Sequence, residues 1–385
     1  MAEDCLPRTV GDPTEVGLHP ARWNAALALV RSWCDAGHVP AAGVLVARRG
    51  LTTGAHLFGR RTPSPTAAPL RDDAIFLIAS ITKPIVATGV LLLAERGLIA
   101  LDDRVEEFVP AFGRERKHAV TVRHLLTHTS GLPDMLPDNR ELRESNVPLS
   151  AFVAGACRSP LDFVPGRSVQ YQSMGFAMLG EIIHQVSGKQ CAQFLRDELF
   201  EPLGMCDTAL GAPPSWFEGA NPKVNRIAEI RLPEEQQDAT TWHWNTSYWR
   251  TFGAPWGGLL TTPADLARFA QMMLNGGAFG DRRILSPAAV RAATRNQFEA
   301  MPDVPADERR CRPWGLGWRL NWPAHSANFG DLVGPRTFGH WGATGTVMWI
   351  DPDSESFAII LTTQPQEPHG SYLARASNAI VASFV

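Results

Sequence analysis

The sequence has 385 residues, of which 44% are hydrophobic and 19% are charged, and its formal net charge is −3. This length predicts about two domains with a substantial buried core. The near-neutral charge argues against a nucleic-acid-binding protein, which would present a basic face.

The sequence also argues against a membrane protein. The longest apolar stretch, around residues 85–94, is far shorter than the roughly 20 residues that a membrane-spanning helix needs. Residues 1–5 lack the basic and apolar regions of a secretory signal, so we expect a cytoplasmic location. That location fits six cysteines with no C-x-x-C spacing, which we interpret as small buried side chains at positions 5, 34, 157, 191, 206 and 311.

Hydrophobic periodicity predicts the elements of the first hundred residues. A helix is expected over residues 20–36, followed by two strands over residues 42–48 and 52–58. A Pro-rich loop over residues 62–69 leads to a long helix over residues 80–97, since Pro84 is tolerated only in the first helical turn. Gly97 favours a helix end at that point.

The middle of the chain, from about residue 100 to 285, predicts helices joined by long loops. Four segments have helical spacing, namely residues 122–126, 174–186, 192–199 and 263–274. Residues 211–256 are irregular and rich in tryptophan. The chain then returns to strands over residues 336–340, 346–351 and 357–363 and ends in a helix over residues 371–385. Strands at both ends and helices between them predict a discontinuous α/β domain with an inserted helical domain.

The segment Ser80-Ile81-Thr82-Lys83 carries the first candidate for catalysis. Residues i and i+3 share a helix face, so the Ser80 hydroxyl and the Lys83 amine can be neighbours. A buried lysine with a lowered pKa can take the proton of a serine, whereas arginine stays charged. Of the four lysines in a chain with 32 arginines, only Lys83 lies among apolar residues, and 117, 189 and 223 are expected to be solvated. The alternative is a surface lysine on an amphipathic helix.

Two later segments carry further candidates. Tyr171 precedes a predicted helix, and a phenol beside an ammonium group can relay protons or act as an anionic base. His340-Trp341-Gly342-Ala343 lies beside a predicted strand, where small residues let the backbone approach a ligand and an N–H can bind an oxyanion. Taken alone, each segment favours a structural interpretation, with Tyr171 as a core or loop tyrosine and His340 as an edge-strand histidine before a Gly-rich turn.

A metal or nucleotide site is not favoured. His124 and His128 have the i, i+4 spacing of some zinc sites, but Leu125 stands where the metalloprotease motif needs a glutamate. A structural loop is therefore preferred there. The sequence has no Gly-rich phosphate loop, so nucleotide chemistry is not supported, and it has no G-x-S-x-G nucleophile motif. We expect neither a metal nor an organic cofactor.

Together these segments resemble the serine β-lactamase and penicillin-binding-protein superfamily. The likeness is to its class C-like branch, which includes family VIII carboxylesterases and D-stereospecific peptidases. Ser80-x-x-Lys83, Tyr171-x-Ser173 and His340-x-Gly342 follow in the order of that family, and residues 80–84, 124–133 and 257–266 are similar to its signatures. The resemblance covers residues 20–385. It implies an α+β fold of the β-lactamase/DD-peptidase type, with a central antiparallel sheet flanked by helices.

The resemblance also implies a domain division and a set of roles. Residues 1–85 plus 286–385 would form the discontinuous domain and residues 86–285 the mainly helical one, with the active site at their interface. Ser80 would be the acylated nucleophile. Lys83 would act as its base together with Tyr171, which would also return the proton to the leaving group. The backbone N–H groups of Ser80 and Ala343 would form the oxyanion hole. The substrate-binding residues would be Ser173, His340, Trp341, Gly342 and Trp256.

Two departures from the family pattern point to the substrate. Ser173 replaces the usual asparagine, and His340-Trp341-Gly342 replaces Lys-Thr-Gly, which removes a cation and a hydroxyl that help bind carboxylates. We therefore expect a carboxylesterase that acts on small to medium uncharged esters through an acyl-Ser80 intermediate. The tryptophans of residues 242–256 would favour an apolar substrate group if they border the site, and otherwise pack the helical domain.

Two other functions stay open from the sequence. One is hydrolysis of β-lactams or of D-amino-acid amides and peptides. The other is a catalytically silent domain that only binds a ligand. The partner is expected to be a small-molecule ester, with no nucleic acid and no membrane, and the sequence does not predict an oligomeric state.

Overall fold

A computed structural model describes residues 8–115, 117–311, 313–321, 329–365 and 371–385. Residues 1–5, for which no secretory signal was predicted, lie outside the described residues. The predicted burial of Cys5 and of the Cys311 side chain also falls outside them.

A seven-stranded sheet lies at the centre of the fold. The strands of the chain are β1 (Arg8–Thr9), β2 (Ala41–Arg48), β3 (Leu51–Gly59), β4 (Phe76–Leu77), β5 (Ala209–Leu210), β6 (Leu259–Thr261), β7 (Ala278–Phe279), β8 (Arg282–Arg283), β9 (Arg319–Leu320), β10 (Phe338–Gly342), β11 (Thr346–Asp351) and β12 (Ser356–Thr362). The central sheet has the order β1-β3-β2-β12-β11-β10-β9 and is antiparallel except for the edge pair of β1 and β3. The predicted α+β class with a central sheet built from both ends of the chain is therefore confirmed.

Helices cover the sheet and fill the middle of the chain. They are α1 (Pro20–Asp35), α2 (Thr82–Glu95), α3 (Val105–Phe108), α4 (Val122–Leu126), α5 (Asn139–Glu144), α6 (Leu149–Arg158), α7 (Met174–Ser187), α8 (Cys191–Leu195), α9 (Glu234–Gln237), α10 (Ser247–Phe252), α11 (Pro263–Leu274), α12 (Pro287–Thr294), α13 (Ala306–Cys311) and α14 (Ser371–Val381). The division at residues 85 and 286 stays a prediction.

Both faces of the sheet are buried, because the middle positions of its central strands form continuous apolar runs. Along β12, Ala358 and Ile360 join a cluster with α1 and α14, while Phe357 and Ile359 join the larger cluster on the other face. Successive residues of a strand point to opposite faces, so an uninterrupted apolar run predicts a strand covered on both sides. Helix α11 covers the second face.

Most predicted elements are present, and the differences lie at their ends. The bounds of the helices at 122–126 and 263–274 and of the strand at 346–351 agree with prediction. The helix predicted over residues 80–97 begins instead with a 3₁₀ turn, Ala79–Ile81, and ends at Glu95. The segment predicted over residues 192–199 is α8 followed by a π turn, Arg196–Phe200. The final helix ends at Val381 rather than at residue 385.

Two predictions of exposure were wrong. Lys117, expected to be solvated, is fully buried because its Nζ donates to the carbonyl oxygens of Cys157 and Ser159, at 2.9 and 2.7 Å. These acceptors lie some 40 residues away in sequence, so the charged run around residue 117 gave no sign of them. Cys206, expected to be buried, is exposed, whereas Cys157 and Cys191 are buried and Cys34 is partly so. No described helix is long and apolar enough to span a bilayer.

Candidate active site

Ser80 lies in a strained turn between β4 and α2. The preceding residue, Ala79, has a φ of +45°, a left-handed conformation that alanine rarely adopts. The turn is held by the hydroxyl of Thr82, which donates to the Ala79 carbonyl at 2.6 Å and accepts from the Leu259 N–H at 3.1 Å. The Ile78 N–H donates to the Leu259 carbonyl at 3.0 Å. These bonds fix the Ser80 turn to strand β6.

Lys83 is fully buried one helical turn after Ser80. Its Nζ donates to the Ser80 Oγ at 3.0 Å and to the Trp256 carbonyl oxygen at 2.8 Å. The Nζ also lies 4.7 Å from the centre of the Tyr171 ring and 5.7 Å from that of Phe176. Burial lowers the pKa of Lys83 from 10.5 to about 7 because the charged form loses its solvation. A substantial fraction of the amine is therefore neutral at pH 7.

Tyr171 lies in the loop just before α7, with its ring against the ammonium group of Lys83. Burial raises the pKa of its phenol well above the usual value, and the opposing effect of the Ser80 hydroxyl is smaller. The phenol is therefore protonated at neutral pH. Of the two roles that the sequence left open, this environment favours a proton relay over an anionic base.

Residues 124–133, the end of α4 and the loop after it, hold the Tyr171 segment in place. The N–H of Gln170 donates to the His128 carbonyl at 2.9 Å, and the N–H of Gln172 donates to the His128 Nδ1 at 3.1 Å. The Ser130 hydroxyl donates to the Gln172 side-chain carbonyl. His124 uses its own Nδ1 to accept from the Thr121 N–H at 3.2 Å. Both histidines of the i, i+4 pair thus bind backbone N–H groups.

His340 and Trp341 approach the site from strand β10. His340 is fully buried, and its Nδ1 lies 2.7 Å from the Trp341 carbonyl oxygen. Burial, with the charges of Lys83 and Arg319, lowers the pKa of His340 well below its usual value. The ring is therefore neutral at pH 7, and it carries no cation at the position of the family's lysine. Trp341 stacks on Tyr171 with an interplanar angle of 13° and 6.4 Å between ring centres.

Gly342 and Ala343 bring the end of β10 against the Ser80 turn. A Cβ on Gly342 would collide with the Ile78 carbonyl oxygen, so only glycine allows this approach. The hydroxyls of Thr344 and Thr346 donate to the carbonyls of Leu77 and Ile78, at 2.7 and 2.9 Å, and hold the two segments together. Ala343 is exposed, and its N–H donates to no other described residue.

The remaining predicted residues occupy different places. Ser173 is the N-cap residue that precedes α7; its N–H donates to the Asp134 carbonyl at 3.1 Å, and its hydroxyl does not cap the helix. The Trp256 ring is buried in the core, 5.6 Å from Phe152 and 5.8 Å from Phe252 between ring centres. Trp256 therefore contributes its carbonyl oxygen to Lys83, whereas its ring packs the interior.

Sequence reasoning missed three neighbours of the site. Trp314 is buried with its ring centre 4.2 Å from that of His128. Arg319 in β9 places its guanidinium 4.9 Å from the Trp314 ring centre and 5.2 Å from that of Trp341. Neither residue lies in a motif. His128 lies within a segment that matched the family, but its pattern suggested only a metal ligand or a loop residue.

Comparisons with known proteins agree on one family. The family model described as Beta-lactamase matches residues 26–382. A putative D-alanyl-D-alanine carboxypeptidase of Escherichia coli K12 is 28% identical over 330 residues, which cover 76% of this chain and 70% of that protein.

Solved structures show the same fold. A penicillin-binding-protein homologue from Caulobacter crescentus has a TM-score of 0.77 at 23% identity, covering 95% of this chain and 99% of that one. A family VIII carboxylesterase has a TM-score of 0.73 at 24% identity, covering 94% and 97%. At these identities the structural likeness establishes the fold alone.

Proposed function

The chain belongs to the beta-lactamase family of serine hydrolases, and we propose that it is a carboxylesterase acting on small to medium uncharged esters through an acyl-Ser80 intermediate. The observation that carries this proposal is the buried Lys83, whose Nζ lies 3.0 Å from the Ser80 Oγ. In the proposed domain division, Ser80 and His340 come from the discontinuous domain of residues 1–85 plus 286–385. Tyr171 comes from the helical domain of residues 86–285.

Acylation begins with proton transfer from Ser80 to neutral Lys83. The Ser80 oxygen then bonds to the ester carbonyl carbon, and the carbonyl oxygen becomes an oxyanion. The N–H groups of Ser80 and Ala343 are proposed to bind that oxyanion, as the contact between β10 and the Ser80 turn supports. The turn is held before substrate arrives, so little reorganisation is needed.

Release of the alcohol needs a proton donor, which we assign to Tyr171. Its phenol is protonated at neutral pH and lies against Lys83, so it can pass a proton to the departing oxygen and recover one from the lysine. The carbon–oxygen bond to the alcohol breaks as the carbonyl of acyl-Ser80 reforms. Water then attacks this carbonyl, gives a proton to the same relay, and releases the acid and free Ser80.

The preference for uncharged esters rests on the groups beside Ser80. Neutral His340 stands where the family pattern has a lysine, so this position offers no charge to a substrate carboxylate. Trp341 adds a partly exposed aromatic surface beside Tyr171. We assign Ser173, His340, Trp341 and Gly342 to substrate binding, with Trp256 acting through its carbonyl oxygen.

The test compares p-nitrophenyl butyrate with nitrocefin as substrates of the wild type and of Ser80→Ala. We expect ester hydrolysis in the wild type and none above background in the variant. Full ester hydrolysis by Ser80→Ala would refute the acyl-enzyme. Strong nitrocefin turnover with negligible esterase activity would refute the ester preference.

Hydrolysis of D-amino-acid peptides or β-lactams is a second candidate, and Arg319 favours it. This guanidinium supplies, from β9, a positive charge near His340 that the altered Lys-Thr-Gly motif lacks. The curated relative from Escherichia coli carries a carboxypeptidase name. Release of D-alanine from a D-Ala-D-Ala peptide at a higher kcat/KM than ester hydrolysis would support this candidate over the first.

A silent ligand-binding domain is separated from both by labelling of Ser80. A fluorophosphonate forms an adduct only with an activated serine, whatever the natural substrate is. We expect an adduct on Ser80 that the Ala variant lacks. A wild type without the adduct would favour the silent domain.

A further inference from the structure

His128 is joined to both neighbours of Tyr171. Its carbonyl oxygen accepts from the Gln170 N–H at 2.9 Å, and its Nδ1 accepts from the Gln172 N–H at 3.1 Å. The imidazole packs against the Tyr171 ring with 4.8 Å between ring centres. One residue therefore restrains both the backbone on either side of Tyr171 and the ring itself.

The His128 side chain is itself held rigidly. It has no exposed surface, and its ring contacts Phe176 and Trp314, with 5.6 and 4.2 Å between ring centres. Its φ of +61° is in the left-handed region, which histidine, asparagine and aspartate adopt more readily than most residues. A strained backbone conformation of this kind persists only when the contacts around the residue hold it in place.

The hydrogen bond with Gln172 also fixes the tautomer of His128. Because Nδ1 accepts from an N–H, the proton of the neutral ring lies on Nε2. Burial, with the positive charges of Lys83 and Arg319, holds the pKa of His128 well below its usual value. The ring therefore keeps its acceptor toward Gln172 at neutral pH.

We propose that His128 is a positioning residue, which orients the Tyr171 phenol for proton transfer with Ser80 and Lys83. This inference rests on the proposed function, since it assumes that Tyr171 relays a proton. His128 itself does not touch the reacting atoms. It acts by limiting the motion of the loop that carries Tyr171. The Tyr171 phenol has to be correctly oriented, because small displacements of catalytic groups lower the rate by large factors.

The test uses His128→Phe, which keeps an aromatic ring but lacks the acceptor for the Gln172 N–H. We expect kcat for ethyl butyrate, whose alcohol has to gain a proton as it leaves, to fall about tenfold to a hundredfold, with KM little changed. His128→Asn should recover most of this loss, because its side-chain oxygen replaces Nδ1 and asparagine tolerates a positive φ.

His124→Phe is the matched control. It removes the Nδ1 acceptor for the Thr121 N–H, which lies in the same segment of residues 124–133. It does not change the contacts of the Tyr171 ring. We expect this variant to have a lower melting temperature than the wild type but an unchanged kcat for ethyl butyrate. An equal fall in kcat for both Phe variants would mean that residues 124–133 are merely structural and would overturn the proposal.

The double variant, His128→Phe with Tyr171→Phe, distinguishes a positioning effect on Tyr171 from a general loss of stability. If His128 acts through Tyr171, His128→Phe should slow the Tyr171→Phe protein far less than it slows the wild type. Fully additive losses would overturn the proposal. A wild type in which Ser80 is not labelled at all would instead refute the proposed function, so the two failures are distinguishable.

Discussion

The Nζ of Lys83 and the Oγ of Ser80 lie 3.0 Å apart, and the lysine has no exposed surface. The Nζ lies near the rings of Tyr171 and Phe176, and among the described residues its other acceptor is the Trp256 carbonyl oxygen. Burial destabilises the ammonium form of Lys83, and the opposing effect of the Asp134 charge is smaller. The same contacts that bring the two residues together thus make the lysine a base at neutral pH.

The pH dependence of acylation follows from this pair. Only neutral Lys83 can take the Ser80 proton, and its pKa is lowered to about 7. We therefore expect kcat/KM for p-nitrophenyl butyrate to fall about tenfold per pH unit below pH 7 and to level off above it. Steady-state rates from pH 5 to about pH 9, with the Ser80→Ala background subtracted, measure this. A rate still rising steeply at pH 9 would contradict a lowered pKa.

The buried amine should also cost stability. Between the lowered pKa, about 7, and the ordinary 10.5, the unfolded chain binds a proton that the folded chain does not, so the stability contributed by this group rises with pH across that window. At pH 7 the burial is unfavourable. Lys83→Met should therefore raise the free energy of unfolding by about 1–3 kcal/mol while abolishing turnover.

Denaturant unfolding of the wild type and Lys83→Met at pH 7 measures this gain. Lys189→Met is the control, because that lysine is partly exposed and pairs with Asp197; its effect should stay within about 0.5 kcal/mol. A Met variant less stable than the wild type would show that the bonds of Lys83 to Ser80 and Trp256 outweigh the cost of burial.

The sequence predicted those parts of the site whose residues are close together in the chain. Ser80 and Lys83 are one turn apart, so their spacing alone places them together. Tyr171 and His340 are distant in the chain, and the ordered family pattern was needed to associate them. The strands of the sheet were predictable because they are apolar at successive positions and therefore covered on both faces.

The neighbours of the site that the sequence did not predict depend on contacts between distant segments of the chain. Trp314 and Arg319 reach the site through the packing of β9 against β10, and no spacing within the sequence links them to Tyr171. The backbone acceptors of Lys117 likewise come from the end of α6. A charged run indicates a solvated surface only when no such acceptors are present, and their positions are set by the tertiary fold.

Gly342 should be intolerant of any side chain. A Cβ there would meet the Ile78 carbonyl and the Ala79 side chain, so Gly342→Ala has to displace either β10 or the turn that carries Ser80. We expect kcat/KM to fall about a hundredfold, the size that a displacement of about 1 Å can cause. Gly11→Ala is the control, since a Cβ at that position meets no atom within 4 Å. Normal Ser80 labelling in Gly342→Ala would show that the close approach is not needed.

Lys117 provides a test of stability that is independent of catalysis. Its Nζ binds the carbonyls of Cys157 and Ser159 at the C-terminal end of α6, where carbonyl groups lack helical partners. Lys117→Met keeps the apolar contact of the stem but leaves both carbonyls without this donor. Because unsatisfied buried acceptors are costly, we expect a loss of about 1–3 kcal/mol in the free energy of unfolding.

Thermal melts and Ser80 labelling of the same samples distinguish this role from a catalytic one. Lys117→Met should melt several degrees lower and yet label at the wild-type rate when folded. Lys223→Met is the matched comparison, because that lysine is partly exposed, donates to one carbonyl, that of Cys206, and should lose about 0.5 kcal/mol or less. Equal destabilisation of the two variants would mean that the burial of Lys117 adds nothing to the free energy of unfolding beyond what a partly exposed lysine adds.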